Sequence, residues 1–221
     1  PVFVEGIDPE LAQMRAAFTV NEPLIESKQT RHERELKIHN PWPRTISGKL
    51  LLRKPEHWNI QPKRVFFSIP AGQTRTITVN MMFPISELAG PKTIVARADF
   101  TADHRYDVEL TTQVEVGLTG VDFDTSLTLE PNREDPSIND VVITQLITNL
   151  EDEPVSLYAF VNLRGFPREE RLIAQLQGGE SIMRRFRIIG AGEAVRKSPV
   201  RVGLRELSGP AMLNKLIKPM P

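Results

Sequence analysis

The stretch ELKIHNPWPRTISGKLLL, residues 35–52, decides the fold, because it recurs in altered form as TQLITNLEDEPVSLYAFVNL, residues 144–163. Both stretches run from an alternating segment to an asparagine, Asn40 or Asn149, and then through a polar turn with proline into another alternating segment. Strict alternation of apolar and polar residues is typical of a strand with one buried face. The repeat therefore predicts two copies of one β-rich unit.

The correspondence extends through the rest of each copy and fixes the predicted domains. The matched positions are Ile46, Leu50 and Leu52 with Leu157, Val161 and Leu163; Gly72-Gln73-Thr74 with Gly179-Glu180-Ser181; Val79 with Phe186; and Ile94 and Ala96 with Val202 and Leu204. The first copy ends near VGLTGVDFDT, residues 116–125. We expect one domain over residues 18–117 and a second over residues 118–221.

The predicted fold class is all-β, with two tandem immunoglobulin-like (fibronectin III-like) antiparallel β-sandwiches. Short alternating strands separated by proline, glycine and asparagine favour sandwiches over a wound α/β fold. The 18 prolines agree, since proline is confined to loops and edge strands. The clearest helix signal is Asp8-Pro9 followed by Glu10, an N-cap with proline at the first helical position.

Residues 1–17 are interpreted as the tail strand or linker of an upstream domain. PVFVEG alternates like a strand and then reaches a glycine that ends it. The alternative is a mature N-terminus whose strand joins the first sandwich.

Composition excludes several classes of protein. The formal net charge is zero, so nothing favours nucleic acid as a partner. No apolar run reaches the roughly 20 residues that a membrane span needs. The chain has no cysteine, which excludes disulfides, thiolate nucleophiles and thiolate metal sites.

The first copy resembles the NEW3 type of bacterial immunoglobulin-like domain, found with α-galactosidases and other exported glycosidases. The residues that carry the resemblance are Asn40, Pro41, Pro55, Trp58, Pro62, Ala71, Gly72, Gln73, Pro84 and Gly90. The second copy lacks the tryptophan and its flanking prolines, so its assignment depends on the repeat. The resemblance implies a non-catalytic accessory domain that is extracellular, periplasmic or on the cell surface.

Carbohydrate is one candidate ligand, because aromatic rings stack on sugar faces. The candidate rings are Trp42 in the turn NPWP, Trp58 in PEHW, and Tyr158. We expect Trp42 and Tyr158 to be the exposed ones, since their neighbours define the buried set. Alternatively, each ring covers one end of a sandwich. For Trp58 the repeat favours this structural role.

Calcium is the candidate metal, with Asp122, Asp124 and Asp135 as candidate ligands near the domain boundary. Carboxylate oxygens suit this ion, and a bound ion at a domain junction would stiffen it. The alternative is a solvated acidic linker with turn-forming residues. No EF-hand spacing supports the metal.

We expect no enzymatic activity. No HExxH or GxSxG motif occurs, and the acidic residues mostly alternate outward along strands. The expected function is a structural or accessory interaction module of a larger exported protein, positioning neighbouring hydrolase domains or contacting other proteins. A carbohydrate-binding module and a calcium-rigidified adhesion stalk are the alternatives.

Overall fold

The computed structural model describes residues 8–219, and the chain divides into two compact units. The first unit contains residues 8–25, Gln29–Pro84 and Gly90–Val116. The second contains residues 117–219 together with two short segments, Glu26–Lys28 and Ile85–Ala89. The strand expected before Gly6 lies outside the described residues.

The first unit is built from two antiparallel sheets and one short helix. Its elements are α1 (Pro9–Ala16), β1 (Thr19–Val20), β2 (Leu24–Glu26), β3 (His32–His39), β4 (Ile46–Arg53), β5 (Asn59–Gln61), β6 (Arg64–Ile69), β7 (Thr74–Met82), β8 (Gly90–Thr101) and β9 (Arg105–Gly117). The four-stranded sheet has the order β1-β3-β7-β5, and the five-stranded sheet has the order β2-β9-β8-β4-β6.

Alternation along the strands produces the core of this unit. In β7, Ile77, Val79 and Met81 are buried, while Thr76 and Thr78 on the other face are exposed. Buried side chains from both sheets form a single hydrophobic cluster. Burial of each large apolar side chain stabilises the fold by about 1.5–3 kcal/mol.

Helix α1 also contributes to this cluster. Asp8 caps it by accepting hydrogen bonds from the Glu10 and Leu11 N–H groups, each at 3.0 Å, and Pro9 begins it, as the sequence predicts. Met14 is fully buried in the core of the first unit. Helix α1 therefore packs against the core of the first unit.

The second unit repeats the two-sheet plan. Its elements are β10 (Val121–Pro131), β11 (Asn139–Asn149), β12 (Val155–Asn162), β13 (Glu169–Leu176), β14 (Ser181–Ile188), α2 (Gly192–Lys197), β15 (Val200–Glu206) and β16 (Met212–Ile217). One sheet has the order β10-β11-β14 and the other β13-β12-β15-β16. Buried side chains from both sheets again form a single cluster. The chain is thus all-β, in several antiparallel sheets.

The two short segments are hydrogen-bonded into the second unit. Ser27 accepts the Met212 N–H at 2.8 Å through its carbonyl oxygen, and its hydroxyl donates to the Met212 carbonyl at 2.5 Å. Asn214, which is buried, donates to the carbonyl oxygen of Ile85 at 3.0 Å and accepts the Ala89 N–H at 2.7 Å. The edge strand β16 therefore has partners supplied from much earlier in the chain.

A buried asparagine anchors the turn that follows β3. The Asn40 amide donates to the carbonyl oxygens of Arg44 and Ile69, both at 2.8 Å, and to that of Pro70 at 3.0 Å. Its side-chain oxygen accepts the Trp42 N–H at 3.0 Å. One side chain thus satisfies backbone groups from two separate segments, which would otherwise lack partners in the interior.

The second unit contains the same arrangement after β11. The Asn149 amide donates to the carbonyl oxygens of Glu153 at 2.8 Å and Leu176 at 3.0 Å, and its oxygen accepts the Glu151 N–H at 3.0 Å. Both asparagines are fully buried. The backbone completes each arrangement through the pairs Asn40–Gln73, Gly72–Asn40, Asn149–Glu180 and Gly179–Asn149, at 2.9–3.0 Å. The sequence match between these turns is confirmed.

The predicted match between the next strands of the two units, β4 and β12, is wrong by two residues. Both asparagines bond to the carbonyl four residues ahead, so the turns are equal in length and Ile46 corresponds to Val155 rather than to Leu157. Strand pairing agrees, since Ile46 lies opposite Ile69 and Val155 lies opposite Leu176. The match of Ile94 and Ala96 with Val202 and Leu204 is shifted likewise. Alternation has a period of two, so it cannot detect a slip of two residues.

Helices are minor elements of this fold. They span eight and six residues, and none of the helices within residues 8–219 has the length and apolar character needed to cross a bilayer.

We predict that Asn40→Ala lowers the free energy of unfolding of the first unit by about 3 kcal/mol, because buried carbonyl groups lose their donor. The two tryptophans of the chain both lie in this core, so their fluorescence during urea unfolding follows this unit. Asn59→Ala, at an exposed position of β5, is the matched control. A loss at Asn40 no larger than that of the control would contradict the prediction.

Candidate functional site

A cleft of about 340 Å³ opens in the second unit. Four segments that are far apart in sequence form its walls. The lining residues are Glu26; Leu118, Thr119 and Val121; Glu151 and Pro154–Leu157; and Glu206, Leu207, Ser208 and Ala211. All of them belong to the second unit, and most are apolar.

The Asn149 turn holds one wall in place. Asn149 fixes Glu151 through the backbone, and Leu150 donates its N–H to the Gly120 carbonyl at 2.7 Å. The Glu151 side chain lies against Gly120, where a Cβ atom would come within 2.3 Å of it. Gly120 also has φ +75°, a conformation that favours glycine. This backbone conformation favours glycine beneath the glutamate.

The hairpin between β15 and β16 contributes further lining residues. The Glu206 N–H donates to the Ala211 carbonyl at 3.0 Å, and the Glu206 carboxylate accepts the Ala211 N–H at 3.3 Å. The Leu207 N–H donates to the Ser156 carbonyl at 3.1 Å, which joins the hairpin to β12. These bonds keep one carboxylate at the rim.

Negative charge dominates this cleft. Its lining contains Glu26, Glu151 and Glu206 and no basic side chain. Lys28, just outside the lining, forms an ion pair with Glu26. Apolar walls with carboxylates at the rim are suited to a ligand that combines a cation with an apolar stem.

A second cavity, also of about 340 Å³, lies beside Asp140. Asp140 is buried and accepts hydrogen bonds from Asn132 Nδ2 at 2.7 Å, the Gly190 N–H at 2.8 Å and Arg187 Nε at 2.7 Å. These donors, Asn132 first, stabilise the carboxylate and lower the pKa of Asp140 to about 2. Arg187 also pairs with Glu130 at 3.1 Å. The two charges Asp140 and Arg187 at this cavity are thus already paired with each other.

The prediction that Trp42 is exposed is wrong. Its side chain is only 4% exposed, and its ring packs against Phe100 at 5.4 Å and Tyr106 at 5.2 Å between centroids. The backbone N–H of Trp42 donates a hydrogen bond to the Asn40 side chain, which holds the residue over the end of the core. No face of the indole is free to stack on a sugar.

Trp58 lies deeper in the same core. It is fully buried and packs against Phe83 with 4.6 Å between ring centroids. A buried ring of this kind contributes packing and cannot bind a ligand at the surface. The structure thus places Trp58 among the core residues of the first unit.

Tyr158 is half-buried on β12 of the second unit. The Arg205 guanidinium covers one face of its ring at 4.5 Å from the centroid, and Arg205 also pairs with Glu170 at 3.3 Å. Because both tryptophans are enclosed in the core of the first unit, the three predicted rings do not form one binding platform.

The three predicted calcium ligands are not brought together. Asp122 and Asp124 occupy exposed positions at the start of β10, whereas Asp135 lies in the loop beyond its end, about 20 Å further along at 3.3 Å per residue. Asp135 instead accepts the Ser137 N–H at 3.0 Å, which closes a local turn. Within residues 8–219, no group of three or more His, Asp or Glu side chains is placed to hold a metal ion.

Comparisons with known proteins assign no family. No family model matches the chain, and no curated protein matches it. Among solved structures, the crystal structure of the YadV chaperone is similar over 91% of this chain and 100% of its own, with 11% identity and a TM-score of 0.31. Similarity at this level carries no conclusion about fold or function.

The sequence contained one signal for the cleft. After the first asparagine the turn reads PWPR, whereas after the second it reads LEDEP, with three consecutive acids. This change places Glu151 where the first unit has Trp42. Glu26 and Glu206 had no such signal, because only the folded chain brings them to the same cleft.

We predict that Asp140→Asn removes a pH-dependent part of the stability of the second unit. The pKa of Asp140 is about 2 in the folded state and about 4 when unfolded. Its contribution is therefore complete above about pH 4 and is lost as the pH falls towards 2.

The measurement is urea unfolding by far-ultraviolet circular dichroism between pH 2 and 6. The difference in stability between wild type and Asp140→Asn should shrink as the pH falls through this window. Asp124→Asn, at an exposed position of β10, is the control. Parallel pH profiles for wild type and Asp140→Asn would disprove this role of Asp140.

We predict that iodide does not quench the fluorescence of the folded chain, because both indoles are buried. Urea-unfolded protein, in which both rings meet solvent, serves as the reference. Quenching of the folded chain to half of the unfolded value or more would show that one indole is exposed.

Proposed function

We propose that the chain is a non-catalytic accessory module of a larger exported bacterial protein, located outside the cell, in the periplasm or on the cell surface. In this role it positions neighbouring domains, glycoside hydrolases among them, or contacts other proteins. Its two units would be tandem immunoglobulin-like β-sandwiches of the NEW3 type. The duplicated asparagine turn, with its matching hydrogen bonds, supports the tandem repeat.

The direction of the pKa shifts is the observation that carries the non-catalytic role. Hydrogen bonds from Arg105 and Lys49 lower the pKa of Asp99 to about 2. Burial raises the pKa of Tyr106, whose hydroxyl donates to Asp8 at 2.9 Å. Both shifts move away from neutrality, so each group keeps its ordinary protonation state near pH 7.

A general acid or base needs a pKa near the working pH. Every carboxylate with a shifted pKa in residues 8–219 is shifted downwards and accepts hydrogen bonds from a cap, a turn or a side chain on a neighbouring strand. Structural ion pairs and caps give this pattern, whereas catalytic sites hold at least one group near neutrality. The ionisable groups thus support a scaffold role.

A hydrolysis screen tests this proposal. The chain is incubated with chromogenic glycosides, esters and peptides, and we expect no turnover above a protein-free reaction. Turnover that Glu26→Gln, Glu151→Gln or Glu206→Gln abolishes, and that Asp152→Asn leaves intact, would overturn the non-catalytic role.

A further inference from the structure

We infer that the cleft of the second unit binds an arginine side chain from a basic segment of a partner protein. This site goes beyond the proposed positioning role, and it does not depend on whether the chain has neighbouring hydrolase domains.

The walls are suited to an apolar stem. Leu118, Val121, Val155, Leu157 and Ala211 line a volume of about 340 Å³, at the lower end of the range for ligand pockets. Arginine carries three methylene groups that bury well along such a surface. A side chain inserted from a partner strand or loop would therefore remove apolar surface from water on both molecules.

The rim determines the charge of the occupant. Glu26, Glu151 and Glu206 line the cleft, and Lys28 forms an ion pair with Glu26. Complementary charge brings a basic segment to this face, whereas an acidic segment is repelled.

Guanidinium suits the acceptors better than ammonium does. It is planar and has five N–H donors, so it can bond several acceptors at once. The cleft lining contains several acceptors of this kind, the carboxylates of Glu151 and Glu206 and the hydroxyls of Thr119 and Ser208. A point charge such as ammonium would engage fewer of them.

In the first unit, a side chain of the protein itself occupies the space beside the equivalent turn. There the residue two positions after the buried asparagine is Trp42, whose ring packs against Phe100 and Tyr106. The equivalent residue in the second unit is Glu151, and the turn borders an open cleft. We therefore expect an incoming side chain to fill the second unit at this position.

The test is a titration of the whole chain with a blocked pentapeptide that has a central arginine between alanines, followed by ¹H–¹⁵N NMR. We expect saturable shifts at the amides of Glu151, Ser156, Leu207 and Ala211. The same peptide with citrulline, which has the same shape without the charge, should bind roughly tenfold more weakly.

Two charge-matched double variants separate the cleft from general attraction. Glu151→Gln with Glu206→Gln should weaken arginine peptide binding roughly tenfold. Asp152→Asn with Glu153→Gln removes equal charge from the same turn, outside the lining, and should change the affinity less than about twofold. The dispersion of each spectrum first establishes that the variant is folded.

Several outcomes would overturn the inference: no saturable shift at the cleft, equal binding of the citrulline peptide, or equal weakening by the two double variants. Tighter binding of the matched lysine peptide would refute the guanidinium assignment. Binding of n-propylguanidinium as tight as that of the peptide would refute a partner segment.

Should the cleft variant not fold, the citrulline comparison on the wild-type chain still decides. Failure here leaves the non-catalytic role standing, since the hydrolysis screen tests that role separately.

Discussion

Each unit depends on one buried asparagine amide. Asn40 bonds to the carbonyls at the end of its own turn and at the end of β6, a strand of the other sheet, so one residue fixes the turn and connects two sheets. Asn149 does the same with Glu153 and Leu176. A buried backbone carbonyl without a donor costs about 1–3 kcal/mol. No apolar residue of similar size could replace this side chain, because the turn needs both a donor and an acceptor.

The same constraint gives the two units different surfaces. The asparagine fixes the backbone of the residue two positions ahead, while the identity of that side chain is free to differ. In the first unit it is Trp42, which covers the end of the core. In the second unit it is Glu151, which contributes charge to a cleft. The two turns thus share their hydrogen bonds and differ in the side chain that they present.

The strands and their buried faces could be predicted, because alternation is a local property of the chain. The correspondence between β4 and β12 could not be predicted. Moving β12 by two residues leaves the same side chains facing inwards, so Leu157 and Val155 were equally good matches for Ile46. The burial of Trp42 was also beyond local reasoning. It depends on Phe100 and Tyr106, which reach the turn only through the pairing of β8 with β9.

A domain boundary placed at one point of the sequence leaves out the earlier segments that cover an edge strand of the second unit. Its strand β16 is bonded to Ser27, and Asn214 within that strand is bonded to residues 85 and 89. An edge strand exposes unpaired backbone groups that invite aggregation, and covering it removes that hazard. Glu26, at the start of the first of these segments, also supplies a carboxylate to the cleft. The first of the segments that protect this edge therefore also lines the cleft, so a fragment that began at residue 118 would lack both the cover and this carboxylate.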